Sequence, residues 1–410
     1  MHNTVFYIFI AIILFDFVLE RTIDYLNSKT WSDKLPEEVR DVYDSEKYKK
    51  SQEYKKVNDK FSILTSSFNL VLILLMLFLG GFAFVDSMSQ SLVQSSVAIT
   101  LVFFAILMFC SDIINTPFAV YDTFVIEEKF GFNKTTPKIF ILDKLKGWLL
   151  SAIIGGGLLA LFVVFYQAAG KNFWIYAWIL SSAFMIFMAM FYSTLIVPLF
   201  NKQTPLQDGE LKNAIEEFAK KAGFKLDNVF VIDGSKRSSK ANAYFSGLGA
   251  KKRIVLFDTL INDLTTEEIV AVLAHEIGHY KKKHTLTAMG ISVIQTGLTL
   301  FILSLFIGSP ALSQALGSQK ASFHMGLIGF GLLYSPISAI IGLLMNAFSR
   351  RNEYEADNYA KSFNMGEELI ESLKKLSRNN LSNLTPHPAY VFFHYSHPTL
   401  LQRIRAIRKH

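Results

Sequence analysis

The sequence predicts a mainly α-helical, polytopic membrane protein that also carries a polar domain with a small β-sheet. Hydrophobic residues make up 51% of the 410 residues, and 37 residues are phenylalanine, which is not the composition of a soluble enzyme. Seven apolar stretches each approach the ~20 residues that cross a bilayer, and so many in one chain of this size favour membrane helices over buried core helices. A His-Glu-Ile-Gly-His motif lies in a polar region. The apolar stretches are residues 4–20, 62–85, 97–119, 148–167, 173–199, 285–307 and 321–345.

The first apolar stretch is expected to be a retained membrane helix rather than a cleaved signal peptide. Met1-His2-Asn3 supplies no basic n-region, Asp16 interrupts the apolar run, and no clear A-x-A site follows. Residues 1–200 are therefore expected to form an N-terminal membrane region with five transmembrane helices and two charged cytoplasmic loops, 21–60 and 120–147.

The distribution of basic residues predicts the orientation in the membrane. Four polar stretches carry 39 of the 41 lysines and arginines, and seven crossings place all four on one side. The positive-inside rule makes that side the cytoplasm. The net charge of +7 therefore indicates membrane topology with some attraction to anionic lipids, and it gives little support to nucleic-acid binding. The four stretches are residues 21–60, 120–147, 201–284 and 346–410.

The motif His275-Glu276-Ile277-Gly278-His279 predicts a zinc site. Histidines at i and i+4 lie on one face of a helix, about one turn apart, which suits two corners of a tetrahedral site for one Zn²⁺ ion. Glu276 then sits beside the metal, where it can act as general base towards a water molecule. A capping box over Thr265–Glu268 predicts a zinc helix spanning residues 266–284. Two exposed helix histidines are the minor alternative.

The third metal ligand must come from elsewhere in the chain. Glu353 and Asp357 are four residues apart, so on a helix they share a face. Glu353 can complete a His₂Glu site, and Asp357 can accept the ring N–H of one zinc histidine. Glu355 points elsewhere and is the weaker ligand candidate, and an ordinary charged helix is the alternative. His284 is out of register with the motif and is expected to be a polar interfacial residue.

The polar region before the motif predicts a soluble insert with one amphipathic helix, Gly209–Ala222, and three short strands. A strand with a free edge could bind an extended peptide and lay its scissile bond over the metal. Either Arg253–Phe257 or Asn242–Ser246 could supply that edge, and a plain structural strand is equally compatible with either. The strands are Asn228–Ile232, Ala243–Ser246 and Arg253–Phe257.

Two predicted crossings separate His279 from Glu353. A shared metal would therefore tie together the ends of a membrane hairpin and place the site at the bilayer surface, which suits a lipid-bound or membrane-embedded substrate. Residues 201–410 are thus expected to form one zincin-like metalloprotease domain. Its parts are the insert 201–284, the hairpin 285–345 and a C-terminal cytoplasmic part 346–410.

The single cysteine, Cys110, lies within an apolar segment. It excludes an intrachain disulfide and argues against a thiolate ligand or a cysteine nucleophile. We interpret it as a small core residue.

With these motifs the chain resembles the type I CAAX prenyl endopeptidases, gluzincin-like membrane zinc metalloproteases that remove the last three residues of prenylated C-termini. The resemblance covers nearly the whole length. The matching segments are Pro117–Glu128, Gly131–Thr136, Pro198–Lys202, Asp233–Phe245, Ser349–Arg351, His397–Pro398 and Arg403.

The resemblance implies seven helices that form a barrel around a large water-filled chamber, with the zinc site at its cytoplasmic end. Such a chamber would give Asp16 and Asp112 a hydrated environment, and structural polar pairing is the alternative for both. By motif position, the family's site roles fall on eight residues of this sequence. They are the ligands His275, His279 and Glu353, the base Glu276, the supporting acid Asp357, the substrate-binding Asn242, the oxyanion-stabilising His397 and the bracing Arg403.

The predicted function is that of an integral-membrane zinc metalloendopeptidase that hydrolyses peptide bonds near the cytoplasmic face. Its expected partners are the lipid bilayer and a peptide or protein substrate, prenylated or membrane-associated. A compact chain that ends Ile407-Arg408-Lys409-His410, with no retrieval signal, favours a bacterial plasma membrane, and the endoplasmic reticulum membrane is expected if the source is eukaryotic. The alternatives are a quality-control membrane protease of the HtpX type and a non-enzymatic transporter or scaffold.

Overall fold

The computed structural model describes residues 3–30, 35–225, 229–246 and 253–409, which form α-helices and one small β-sheet. Two π-helical segments, Asp122–Glu127 and Ser151–Gly155, interrupt the N-terminal half. The strands are β1 Gln203–Pro205, β2 Val229–Ile232, β3 Ala243–Ser246 and β4 Arg253–Phe257. The helices are α1 Thr4–Ser28, α2 Ser45–Phe78, α3 Gly81–Leu92, α4 Ser96–Tyr121, α5 Glu128–Phe130, α6 Pro137–Leu150, α7 Gly156–Ala169, α8 Phe173–Leu195, α9 Val197–Phe200, α10 Glu210–Lys221, α11 Asp258–Asp263, α12 Thr266–Lys281, α13 His284–Phe306, α14 Pro310–Ala315, α15 Phe323–Lys361, α16 Gly366–Asn379, α17 Pro388–His394 and α18 Leu400–Arg408.

Among the described residues, five helical runs are long and apolar enough to cross a membrane. Two predicted stretches, 148–167 and 173–199, fall within one of these runs. The first predicted stretch lies in α1, which has 25 residues but carries Asp16, Glu20 and Arg21 and is not one of the five. The count of seven crossings therefore stays a prediction. The five runs are Ser45–Phe78, Ser96–Phe130, Pro137–Phe200, His284–Phe306 and Phe323–Lys361.

The predicted stretch 62–85 is not one continuous helix. α2 ends at Phe78, and Gly80 adopts a left-handed conformation with φ of 67° before α3 begins at Gly81. Glycine is the residue that occupies this region without a steric penalty, because it has no Cβ. The apolar composition continues across the break, so hydropathy alone does not reveal it.

The sheet has the strand order β1-β2-β4-β3, with β2 and β4 parallel and the other pairs antiparallel. The sequence predicts β2, β3 and β4, although Asn228 lies outside the described residues. It does not predict β1, which has three residues. β4 is an inner strand, whereas β3 pairs with β4 alone in the part of the chain that the structure describes. Of the two candidate peptide-binding strands, β3 is thus the one with a free edge.

The zinc helix α12 runs through a hydrophobic core that joins the sheet to the C-terminal helices. Its Ile269, Leu273 and Ile277 are buried in one cluster with Leu256 of β4 and Leu369 of α16. Burial on several sides fixes the rotation and height of α12. The direction in which its polar side chains point is therefore set by packing.

The zinc helix ends at Lys281 and not at residue 284 as predicted. Lys283 adopts a left-handed conformation with φ of 59°, and the next helix, α13, begins at His284. Because this conformation cannot continue an α-helix, the chain turns at this point. The polar zinc helix and the first arm of the predicted hairpin are therefore separate helices joined by a tight turn.

The second arm of the hairpin and the residues after 345 form one continuous helix, α15, of 39 residues. It packs closely on α12 at Gly278. A Cβ on Gly278 would lie 3.1 Å from Ala356 Cα and 3.2 Å from Ala356 O. The missing side chain therefore sets how near the two helices approach.

We expect Gly278→Ala to weaken this packing, because the atoms it would meet are mostly backbone and cannot move aside cheaply. The cost should be about 1–3 kcal/mol, offset in part by the higher helix propensity of alanine. The measurement is the thermal unfolding midpoint and the metal content of the purified protein in detergent. Gly290→Ala in α13 is the matched control, since nothing lies within 4 Å of the added Cβ. If both variants had the same unfolding midpoint and the same metal content, the close contact at Gly278 would not be needed for stability or for metal binding.

Candidate metal centre

The two motif histidines face the same point. The capping box predicted at Thr265 is present, with Thr265 and Glu268 each bonding the backbone of the other, and α12 begins at Thr266. His275 and His279 lie one turn apart, and their Nε2 atoms are 3.2 Å apart. His275 is buried, with 7% of its surface exposed. The helix thus presents two ring nitrogens to one small volume.

Glu353 of α15 completes the cluster. Its Oε1 lies 3.2 Å from His279 Nε2, and its Oε2 lies 3.4 Å from His275 Nε2. Ligand atoms around a tetrahedral zinc ion with bonds of ~2.0–2.1 Å are about 3.3 Å apart, which is the spacing observed here. Glu353 Oε2 is buried without a hydrogen-bond partner among the described residues. A buried carboxylate oxygen without a hydrogen-bond partner, next to two imidazole nitrogens, is the arrangement expected at a metal-binding site.

Asp357, braced by Arg403, contacts the His275 ring at Nδ1, opposite the Nε2 atom that faces the cluster. Asp357 Oδ1 lies 2.9 Å from His275 Nδ1, the contact that the sequence predicts. Arg403 donates from Nε and Nη2 to the two carboxylate oxygens of Asp357, at 2.9 and 2.5 Å respectively. Both residues are buried. Such a two-point contact fixes the carboxylate plane, and through it the orientation of the His275 ring.

The environment of His275 favours positive charge. Burial lowers the pKa of His275, but the adjacent carboxylates of Asp357 and Glu353 outweigh burial and raise that pKa to about 9. The carboxylates around the ring thus stabilise a cation, and a metal ion bound at Nε2 would supply one.

His284 contacts the second candidate ligand, His279, and the sequence does not predict this contact. His284 Nδ1 lies 3.0 Å from His279 Nδ1, and its Nε2 lies 3.2 Å from Glu355 Oε2. His284 is 7% exposed, so its assignment as an interfacial residue is wrong. The error follows from the predicted helix 266–284, in which residues 279 and 284 are five apart and do not face each other. The turn at Lys283 brings them together.

The other predicted site residues surround the cluster. His397, in the turn between α17 and α18, is exposed, and its Nε2 lies 3.3 Å from Glu353 Oε1. Glu276 lines a small cavity together with Ala243 and Tyr244 of β3. Asn242 is exposed directly before β3, where its Oδ1 accepts a hydrogen bond of 2.8 Å from the Ala243 N–H. Glu276 and the first two residues of β3 therefore border the same small cavity.

Asp16 and Asp112, which lie in predicted membrane segments, both have polar partners. Asp16 accepts a hydrogen bond from Ser335 at 2.6 Å. Asp112 pairs with Lys144 at 2.7 Å and also accepts from the indole of Trp148. Structural pairing, the alternative that the sequence leaves open, therefore accounts for both.

A buried His₂Glu cluster with a glutamate after the first histidine, joined to membrane-length helices, defines the class of membrane metallopeptidases. Residues 24–202 match the family described as CAAX prenyl protease N-terminal, five membrane helices, and residues 205–410 match peptidase family M48. The chain belongs to peptidase family M48, in its group of CAAX prenyl proteases.

Relatives and a solved structure agree over nearly the full length. The chain is 40% identical to a CAAX prenyl protease 1 homolog of Dictyostelium discoideum, covering 92% of this chain and 90% of the relative. It is 37% identical to CAAX prenyl protease 1 of Saccharomyces cerevisiae, covering 91% and 88%. The crystal structure of S. mikatae Ste24p superposes with a TM-score of 0.92 at 37% identity, covering 99% of each chain.

These likenesses confirm the predicted class, an integral multi-pass membrane metalloendopeptidase of the CAAX protease type with a mainly helical fold and a small sheet. They do not favour the HtpX-type alternative, and a metallopeptidase is an enzyme rather than a scaffold. Membership of a metallopeptidase family also implies a metal cofactor, for which the cluster of His275, His279 and Glu353 is the candidate site.

We expect His284→Ala to loosen metal binding, because the ring of His279 would lose the partner of its Nδ1. Loss of such a supporting contact typically lowers metal affinity by about 10- to 100-fold. Competition with a chromogenic chelator measures this affinity directly on the purified protein. His394→Ala is the control, since His394 pairs with Glu20 away from the cluster. An unchanged affinity in His284→Ala would refute the supporting role.

Proposed function

We propose that this chain is a zinc-dependent endopeptidase that cleaves prenylated or otherwise membrane-anchored substrates at the cytoplasmic membrane face, as a CAAX protease does. The observation that carries this is the cluster of His275, His279 and Glu353 on and beside the helix that carries Glu276, which lines a small cavity with residues of β3. One set of residues can hold the metal, and the other can hold and cleave a peptide. The prediction that the membrane is a bacterial plasma membrane stays a prediction.

The donor set favours zinc among the common metals, because two imidazoles and one carboxylate leave one position of a tetrahedral site open. When bound, zinc would polarise the scissile carbonyl and make a neighbouring water a stronger nucleophile at neutral pH. Asp357 and Arg403 keep the His275 ring oriented, and His284 does the same for His279.

Glu276 is proposed as the general base. It follows His275 directly on α12 and lines a small cavity with Ala243 and Tyr244 of β3. There it can take a proton from the attacking water and deliver that proton to the leaving amine. His397, 3.3 Å from Glu353 Oε1 and exposed, can donate a hydrogen bond to the oxyanion that develops.

β3 is proposed to hold the substrate backbone. Among the described residues β3 pairs with β4 alone, so an extended peptide could join the sheet there as an added strand. Asn242 stands at the start of this edge and can bond the peptide backbone with its side-chain amide. The peptide would then cross in front of Glu276.

The substrate class follows from where the site stands. His279 precedes the first membrane arm α13 by a short turn, and Glu353 lies on α15, which continues the second arm. A substrate that a lipid group holds at the bilayer could therefore reach this site by diffusing along the membrane surface. The named relatives are CAAX prenyl proteases, which supports a prenylated C-terminus as that substrate. The basic stretches support the cytoplasm as the side that holds the site.

We expect Glu276→Gln to retain metal and lose peptidase activity, because the amide keeps the shape of the side chain but cannot accept the proton. The loss in kcat should be at least ~10²–10⁴-fold. The measurement is cleavage of a farnesylated CAAX peptide alongside metal content by mass spectrometry. Glu267→Gln, in the first turn of the same helix, is the control. Cleavage at the wild-type rate by Glu276→Gln would remove Glu276 from the mechanism.

We expect a farnesylated CAAX peptide to be cleaved faster than its unprenylated twin, because only the first is concentrated at the membrane surface. A zinc chelator should stop both reactions, and re-addition of zinc should restore them. The ratio of kcat/KM for the two peptides in detergent and in vesicles is the measurement. Equal values in both media would indicate general proteolysis and not CAAX processing.

A further inference from the structure

A second pocket lies away from the metal centre, where the helical run Pro137–Phe200 ends and β1 begins. It is an open cavity of about 530 Å³. α6, the end of α9, β1, β2 and β4 all contribute side chains to it. The lining residues are Lys146, Pro198, Leu199, Phe200, Asn201, Lys202, Gln203, Phe230, Lys236 and Arg253.

The pocket is strongly cationic. Four of its lining residues are lysine or arginine, and no lining residue is acidic. Within the described part of the chain, no ion pair is formed by these four side chains, which are Lys146, Lys202, Lys236 and Arg253.

Two carboxylates, Asp143 and Asp233, lie beside the pocket. Asp143 pairs with Arg237 at 2.8 and 2.9 Å. Asp233 accepts hydrogen bonds from the Asn201 side chain at 3.0 Å and from the Lys202 backbone at 2.8 Å. Arg237 balances the charge of Asp143, and Asp233 can offset one of the four positive charges. The pocket therefore keeps a net positive charge, and a bound anion would relieve the repulsion among its cations.

Aromatic rings hold two of the cations in place. The Arg253 guanidinium lies 4.8 Å from the centre of the Phe230 ring, and Lys146 Nζ lies 5.6 Å from that of Phe200. Lys146 also donates a hydrogen bond of 2.7 Å to Leu199 O. Contacts of this kind fix the charged ends without using up all their donors. The pocket is thus arranged before any ligand arrives.

One wall of the pocket is apolar and exposed. Leu199 is 46% exposed, and Pro198 beside it is exposed as well. Both lie in the last turn of a run whose mean hydropathy reaches 2.4 and whose composition suits the bilayer interior. Lys146 lies within this run, Lys202 follows its end, and Lys236 and Arg253 come from the polar insert after it. Lipid headgroups are expected at the level where such a run ends.

We propose that this pocket binds the phosphate group of an anionic phospholipid, with Leu199 and Pro198 against the first part of the lipid chains. Four cations beside an exposed apolar wall match a ligand that carries an anion and a hydrocarbon on adjacent atoms. The bound lipid would fasten the β1–β2 side of the sheet to the end of the membrane run. This site is independent of the metal centre and of the proposed peptidase reaction.

The test uses the full-length protein in neutral detergent and follows the thermal unfolding midpoint during titration with short-chain phosphatidylglycerol. The wild-type protein should show a saturable rise. Lys202→Gln combined with Lys236→Gln should bind about 30-fold more weakly, since each cation near an anionic surface contributes roughly fivefold. Both lysines are exposed, so folding without lipid should be unchanged, and the readout is the lipid-dependent shift alone.

The control variant replaces two exposed lysines outside the pocket, Lys138→Gln with Lys220→Gln, and it should behave as the wild type. Two further arms identify the source of the phosphate. A wild-type shift with short-chain phosphatidylcholine equal to that with phosphatidylglycerol would overturn the requirement for an anion. An equal shift with inorganic phosphate at the same concentration would show that the lipid chains are not needed, and would overturn the assignment of a phospholipid as the ligand. Unchanged phosphatidylglycerol binding in the pocket variant would overturn the site itself.

Discussion

The metal centre depends on the close packing of α12 against α15 at Gly278. With no side chain at this position, the backbone of Ala356 comes within 3.2 Å of where a Cβ would be. Glu353 lies one turn before Ala356, and at this helix separation its two oxygens reach the rings of both His275 and His279. About eighty residues separate Gly278 from Ala356, so the chain alone would allow many arrangements of the two helices. The close contact at Gly278 is compatible with only a narrow range of them.

The charge balance of the buried cluster explains why the C-terminal helix belongs to the centre. Glu353 and Asp357 are both buried, and two carboxylates without compensation would cost several kcal/mol. Arg403 from α18 neutralises Asp357 with a two-point contact but reaches Glu353 only at 3.5 Å. One negative charge is left on the side that faces the two histidine rings. A divalent cation there completes both the ligand geometry and the electrostatics.

The sequence predicts those parts of this centre that depend on local periodicity. His275 and Glu353 could be found because helical spacing and the short motif define their faces without any tertiary knowledge, and the turn-bounded strands β2 to β4 follow from the same kind of pattern. The errors occur where the backbone adopts left-handed conformations. Gly80 divides an apolar stretch that reads as one helix, and Lys283 ends α12 early. The second of these errors hides His284, because its contact with a ligand exists only after the chain has turned.

The turn at Lys283 brings the candidate metal centre into direct contact with the membrane helices. His279 is bonded to His284, the first residue of the arm α13, while Glu353 belongs to the helix that continues the other arm. The arms also meet at their far end, where Ile307 O lies 1.9 Å from the position that a Cβ on Gly326 would occupy. The hairpin is thus held at both ends, by backbone contact at one and by the ligand cluster at the other. Metal ligands must be held to within roughly 0.5 Å. These two contacts would restrain the arms against sliding and so keep His279 and Glu353 in position although they are distant in sequence.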